Sequence, residues 1–322
     1  MNVLILGGAG IVATYLVETA PEHVTVSLAY RNRRPVVDSR IRLCHVDLSN
    51  GGRLAEVLKV LEPEVVINAA GLCSVDECER RPADAYSDNV ATTVHALAAL
   101  RGSATKLVQL SSNAVYSGTR PPYAEDSPRH PINVYGRTKL ASENEVLKEE
   151  GCLVARLGPV FGWNRIWTRI NPLPWIISSL AADKPSDLRG DLLNTPVSAE
   201  FAGRALWRAI ECGITGQLNI AGQQTVSWHE FGCAVAAEFG FPTRLLKRTC
   251  DDRRTGQTPR PRDTSLTTIA LTEALGMISP TLREQLERMR LMRLAADEPL
   301  VQGRLSECSR VKRRRQEARQ WI

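Results

Sequence analysis

The chain has 322 residues, 43% hydrophobic and 24% charged, a balance that suits a folded protein with a sizeable core and one or two domains and excludes a disordered one. Its formal charge of +6 is fed largely by the tail VKRRRQEAR, Val311 to Arg319, which reads as a solvated helical end; the near-neutral remainder argues against a nucleic-acid groove. No apolar run is long enough to cross a bilayer, and Val3 to Leu6 lead straight into glycines, so no membrane contact is expected and the cytoplasm is the expected compartment. Eight cysteines are scattered with no CxxC pair; they read as reduced thiols, and no metal site is expected.

In chain order, NVLIL, VTVSLAY, IRLCHV, EVVINAA, TKLVQLS and CLVARL are strand-length and rich in Val, Ile and Leu. Between them IVATYLVETA, RLAEVLKVLE, AYSDNVATTVHALAAL and YGRTKLASENEVLKEE carry helical periodicity. That alternation predicts an α/β fold, a Rossmann-type doubly wound parallel sheet with helices on both faces. After Leu157 the pattern loosens: GPVFGWNRIWTRINPLPWII holds three of the six tryptophans and several breakers, which suits loops shaping a pocket. LLNTPVSAEFAGRALWRAIE then predicts a short extended piece, a Ser198 cap and an amphipathic helix, and GQLNIAG one more strand. The expected organisation is a dinucleotide-binding domain over residues 1–157 with a return at about 193–222. Residues 158–192 and 223–290 form a smaller C-terminal substrate-binding lobe, and 291–322 a basic tail.

GGAGIVA follows the first strand and opens the first helix. Gly7, Gly10 and Ala13 fit one glycine register, Gly8, Gly10 and Ala13 another. Either lets the backbone approach a pyrophosphate, whose charge sits against free amides at the helix N-terminus, so contacts are expected at Gly7, Gly10, Ile11 and Val12. At the end of the second strand the chain offers AYRNRRP instead of an acid for a ribose 2′-hydroxyl. Guanidinium groups bind a 2′-phosphate in a fork where a carboxylate repels it, so Arg31, helped by Arg33 or Arg34, predicts NADP(H). Asp47 in HVDLS is placed to meet the adenine edge, with Leu48 beside it.

In NVYGRTKLASE a tyrosine and a lysine stand four residues apart on one helical face. Free tyrosine ionises near ~10 and is a reluctant acid or base at neutral pH. The Lys139 ammonium favours the phenolate, as does a cationic nicotinamide, so Tyr135 becomes able to pass a proton to or from a carbonyl or alcohol oxygen. Lys139 is also placed to hold the nicotinamide ribose. Ser112, after the strand TKLVQL, supplies a hydrogen-bond donor at a carboxyl strand end, where ligands of doubly wound sheets sit.

Together GGAGIVA, VVINAAGLCSVDECE, SSNAVYSG, RPPYAEDSPRHPINVYGRTKLASE, NIAGQQTVSWHEF and PRPRDTSL resemble the extended short-chain dehydrogenase/reductases, and within them the dTDP-4-dehydrorhamnose reductase family and its relative, the regulatory beta subunit of methionine adenosyltransferase. The resemblance spans about residues 1–290. It implies NADP(H) in the first lobe, a nucleotide-activated 4-keto-6-deoxy sugar in the cleft, and Ser112, Tyr135 and Lys139 as the catalytic set. It further implies that Ala69, Ala70 and Asn89 line the nicotinamide side, that Asn113, Arg260 and Arg262 face the substrate, with an arginine on the diphosphate, and that the chain forms a homodimer. Two departures stand out: Asn113 follows Ser112 where these reductases carry an acid, and RLGPVFG with Pro159 replaces a block holding a substrate-contacting tryptophan, for which Trp163, Trp167 and Trp175 are candidate substitutes. His229 in SWHEF reads as a capping or packing residue. Two other readings stay open: an epimerase or dehydratase that holds its cofactor through the cycle, and a non-catalytic, cofactor-binding regulatory subunit.

Overall fold

The computed structural model describes residues 1–35, 37–163, 171–250 and 258–295. Seven strands form one wholly parallel sheet: β1 (Asn2–Leu6), β2 (Thr25–Tyr30), β3 (Arg42–His45), β4 (Val65–Asn68), β5 (Lys106–Ser112), β6 (Leu153–Leu157) and β7 (Gly216–Ile220). Across the sheet they run β7, β6, β5, β4, β1, β2, β3. The winding reverses between β1 and β4, and a crevice opens at the carboxyl ends there. The helices used below are α1 (Ile11–Glu18), α2 (Gly51–Leu61), α3 (Thr92–Leu100), α4 (Val134–Val146), α5 (Pro172–Ala181), α6 (Ala199–Glu211), α7 (Trp228–Glu238) and α8 (Leu282–Ala295).

Period-two alternation along each strand feeds two cores. Val3 and Ile5 pack with Leu16 of α1 and Ala202, Ala205 and Leu206 of α6 on one face. Leu4 and Leu6 pack with Leu54 and Leu58 of α2, Ala96 and Leu100 of α3, and Val146 of α4 on the other. Since both faces are covered, the strands read as unbroken apolar runs, and each fully buried Leu or Ile contributes about 1.5–3 kcal/mol.

A separate core gathers Phe161 and Trp163 with Leu173, Ile176 and Ile177 of α5, Phe231 and Val235 of α7, and Leu286 and Met289 of α8. Tyr15 of α1 reaches into it, where its hydroxyl accepts from the Trp163 amide at 2.9 Å. Short strand pairs surround this core: Val160–Phe161 with Val197–Ser198, Leu193–Asn194 with Val226–Ser227, and Ser186–Arg189 with Leu246–Thr249.

Three elements differ from the sequence expectation. The helix expected from AYSDNVATTVHALAAL is broken into Pro82–Tyr86, a π-helical turn over Ser87–Ala91, and α3; widening the turn re-aims Asp88 and Asn89, which periodicity alone does not register. Within GPVFGWNRIWTRINPLPWII a strand forms at Val160–Phe161 and α5 starts at Pro172 under an Asn171 cap, because Phe161, Trp163, Leu173, Ile176 and Ile177 build a core, while Pro159, Val160 and Asn171 line the cleft; residues 164–170 lie outside the described residues. Finally, α8 runs to Ala295 and buries Met289, so residues 291–295 of the segment set apart as the tail continue a helix packed on the core; 296–322 lie outside the described residues.

Candidate active site

A single cleft of about 650 Å³ runs along the carboxyl ends of the strands, from the β1–α1 turn to the core built around α7. Gly7 and Gly10 line it, with Ile11, Val12 and Leu48. Gly7 has φ +82°, and a Cβ there would lie 2.7 Å from the Ala70 backbone; no other residue fits that turn. Gly8 is off the wall, its would-be Cβ 2.8 Å from Leu28, so of the two glycine registers the one on the cleft is Gly7 with Gly10 and Ala13. Gly10 is the N-cap of α1 with no capping side chain, and the space beside its would-be Cβ is open except for the Gly7 carbonyl oxygen. Unoccluded amides at a helix start form a cradle of the right chemistry for a pyrophosphate.

Arg31 and Arg33 both line the cleft. Arg31 is held by Asp88, with Nη1 to Oδ1 at 2.9 Å and Nη2 to Oδ2 at 3.2 Å, and the Asp88 hydrogen bond keeps the guanidinium protonated beyond its ordinary range. Asp47 lies 3.7 Å from Arg31 and spends its carboxylate on the amide and hydroxyl of Ser49, whose amide bond pulls its pKa down. Leu48, not Asp47, is on the wall.

Ala69 and Ala70 line the next stretch. Asn89 stands behind it: its Oδ1 accepts from the Leu72 amide at 2.7 Å, and its Nδ2 donates to the Leu72 carbonyl at 3.0 Å and to Thr138 Oγ1 at 2.9 Å. It thus braces the β4 loop against α4 instead of presenting its amide to the cleft.

Ser112, Tyr135 and Lys139 all line this same cleft. Asn133 caps α4 by accepting from the Gly136 amide at 2.9 Å and donating to the Pro259 carbonyl at 3.0 Å. Any Cβ on Gly136 would overlap the Ala114 carbonyl oxygen, so glycine lets α4 press on the turn after β5 and brings Tyr135 beside the Ser112 segment. Lys139 is 5% exposed, and its ammonium donates to the Leu110 carbonyl at 3.1 Å. The Ser112 hydroxyl donates to Asn113 Oδ1 and accepts from the Ala114 amide, both at 3.2 Å.

On the far half, the Asn113 amide donates to Thr264 Oγ1 at 2.7 Å, tying β5 to the 264 segment. Arg260 lines the cleft and donates to Asp76 at 2.9 Å, whereas Arg262 is exposed and off the wall. Pro159 is on the wall. Trp163 is buried with its indole donating to the Met289 carbonyl, and Trp175 packs on the same core; Trp167 lies outside the described residues. Trp228, which sequence reasoning did not single out, is the tryptophan on this wall among the described residues. Asn194 was also missed: it lines the cleft, and its buried Oδ1 has no hydrogen-bond partner among the described residues. Such an acceptor calls for a donor from solvent or from a bound molecule. His229 rests against Cys233 at 3.8 Å, while Ser227 and Glu230 form the capping box of α7. Among the described residues no His/Cys/Asp/Glu group is arranged to hold a metal, and no helix is long and apolar enough to cross a membrane.

The strand order and glycine turn define a Rossmann-type α/β protein. Within that class the chain belongs to the RmlD substrate binding domain family, which it matches over residues 1–293. It is 27% identical to the probable low-salt glycan biosynthesis reductase Agl14 of Haloferax volcanii, over 89% of this chain and 96% of that one. It is also 27% identical to the methionine adenosyltransferase 2 subunit beta of Xenopus laevis, over 80% and 78%. Among solved structures, a dTDP-4-dehydrorhamnose reductase from Bacillus anthracis in complex with NADP superposes with a TM-score of 0.80 at 20% identity, over 90% of this chain and 99% of that one, a likeness of fold.

Proposed function

We propose that this chain is an NADPH-dependent reductase of a nucleotide-activated 4-keto-6-deoxy sugar, working in the cleft described above. The observation that carries the reading is that Ser112, Tyr135 and Lys139 share one continuous cleft with the Gly7–Gly10 cradle and Arg31. The cradle fits a dinucleotide pyrophosphate, and Arg31 and Arg33 are its partners for a 2′-phosphate.

When bound, NADPH supplies the hydride to the ketone carbon. Tyr135 gives its proton to the carbonyl oxygen as charge develops there, and the Ser112 hydroxyl turns from Asn113 to donate to the same oxygen. Lys139, anchored on the Leu110 carbonyl, makes the phenolate left on Tyr135 less costly and reaches the ribose. Asn194 Oδ1 is suited to accept from a sugar hydroxyl, and Arg260 to meet the diphosphate. Residues 1–157 with the return at about 193–222 would form the cofactor domain, and residues 158–192 and 223–290 the substrate lobe.

One observation favours a second reading, a cofactor-binding regulatory subunit: Asn113 is spent on Thr264 at a position where an acid is expected in the reductases. The test is the fall in reduced-nicotinamide absorbance on mixing purified protein and NADPH with a panel of nucleotide-linked 4-keto-6-deoxy sugars. Stoichiometric oxidation with one member supports the reductase. Binding of NADPH without oxidation or isomerisation of any member sinks it in favour of the regulatory reading, and isomerisation without net oxidation points to an epimerase.

A further inference from the structure

Arg31 follows the last residue of β2, whereas Asp88 sits in the π-helical turn after β4, and β1 lies between those strands. The ion pair thus ties the end of β2 to the π-helical turn that follows β4. Both residues line the cleft together with Gly7 and Gly10. The pair is bidentate and uses Nη1 and Nη2 of Arg31, one of the donor edges that a phosphate fork can also use. Asp47, 3.7 Å from the same Nη1, adds a second carboxylate to the arginine's surroundings.

We propose that Asp88 competes with the cofactor 2′-phosphate for Arg31 and so sets how strongly this protein discriminates NADPH from NADH; the inference rests on the cofactor reading given above. A dianionic 2′-phosphate that engages Arg31 either displaces Asp88 from the Nη1–Nη2 edge or shares the guanidinium with it, and in both cases lies close to the carboxylate, which repels it. A 2′-hydroxyl meets no such cost, since the carboxylate accepts from it while keeping Arg31. Arginine alone, as read from the sequence, favours NADP(H); the arginine with its aspartate narrows that preference.

The test is direct titration of NADPH and NADH by nicotinamide fluorescence on wild type, Asp88→Asn, Arg31→Ala and the double variant, with 2′,5′-ADP and 5′-AMP as competing probes. Asp88→Asn is expected to raise the ratio of the NADH to the NADPH dissociation constant about tenfold, with 2′,5′-ADP gaining and 5′-AMP unchanged. In the Arg31→Ala background, where only the direct repulsion by the carboxylate remains, the same substitution should move the ratio much less. An unchanged or lowered ratio in Asp88→Asn, or an equal change without Arg31, overturns the proposal. Asp88→Ser, checked for an unaltered melting temperature, repeats the measurement should Asp88→Asn fold poorly. If wild type binds neither dinucleotide, the cofactor reading falls and this inference with it; if it binds both and Arg31→Ala alone lowers the preference, the cofactor reading stands while the role of Asp88 is decided by the ratio.

Discussion

The Tyr135–Lys139 pair stands out in the sequence because its spacing survives any tertiary detail: four residues on a helix share a face. What spacing leaves open is which cleft that face meets, and Gly136 decides this by permitting contact with the Ala114 carbonyl. If Tyr135 is the proton donor, Tyr135→Phe should bind NADPH within about twofold of wild type while kcat falls roughly 10²–10⁴-fold, the usual weight of a general acid. Fluorescence titration beside steady-state kinetics checks both halves, and retained turnover would remove Tyr135 from that role. Asn89 illustrates the opposite case. The resemblance implied that it lines the nicotinamide side; its amide satisfies the backbone of Leu72, which spacing in the sequence does not register.

At the scale of elements, β5, β6 and α4 are joined by a buried charge network. Glu143 of α4 and Arg156 of β6, both 0% exposed, form an ion pair, while Ser111 of β5 donates to Glu143. Arg156 also donates to the Tyr116 hydroxyl at 2.8 Å, and that hydroxyl donates to the Ala124 carbonyl at 2.9 Å. Breaking such a pair on one side strands a buried charge, which is why the three elements hold one geometry beneath Ser112. Burial pushes the Tyr116 pKa up to about 12, whereas an unfolded tyrosine ionises near ~10. The stability this group contributes is therefore intact below pH ~10 and lost as pH rises through its folded value, by at most ~2–3 kcal/mol. Urea unfolding at about pH 9 and about pH 11 should show a steeper loss for wild type than for Tyr116→Phe; matching losses would acquit the phenol.

Over the whole molecule, the cleft exists because the core around α5, α7 and α8 is set against the carboxyl ends of the sheet. Tyr15, Asn113 and Arg260 cross that junction, to Trp163, Thr264 and Asp76 respectively. Arg260 and Arg262 were indistinguishable in PRPRDTSL, but only Arg260 lines the cleft. On the sugar-nucleotide reading, Arg260→Ala should raise the substrate KM roughly tenfold with cofactor affinity unchanged, and Arg262→Ala should leave KM alone. Equal KM values for wild type and Arg260→Ala would detach that arginine from the diphosphate.

The sheet and its glycine turn were determined by the sequence itself. Runs such as NVLIL and VVIN are buried on both faces, and a parallel strand needs no partner-specific signal beyond that; Gly7 is demanded by a local backbone angle. The pairing of Arg31 with Asp88, the retreat of Trp163 into a core and the unsatisfied Asn194 were decided by tertiary structure alone. Each depends on residues far apart in the chain, Arg31 and Asp88 separated by 57 positions, whose proximity arises only when the crossovers place β2 and β4 on either side of β1.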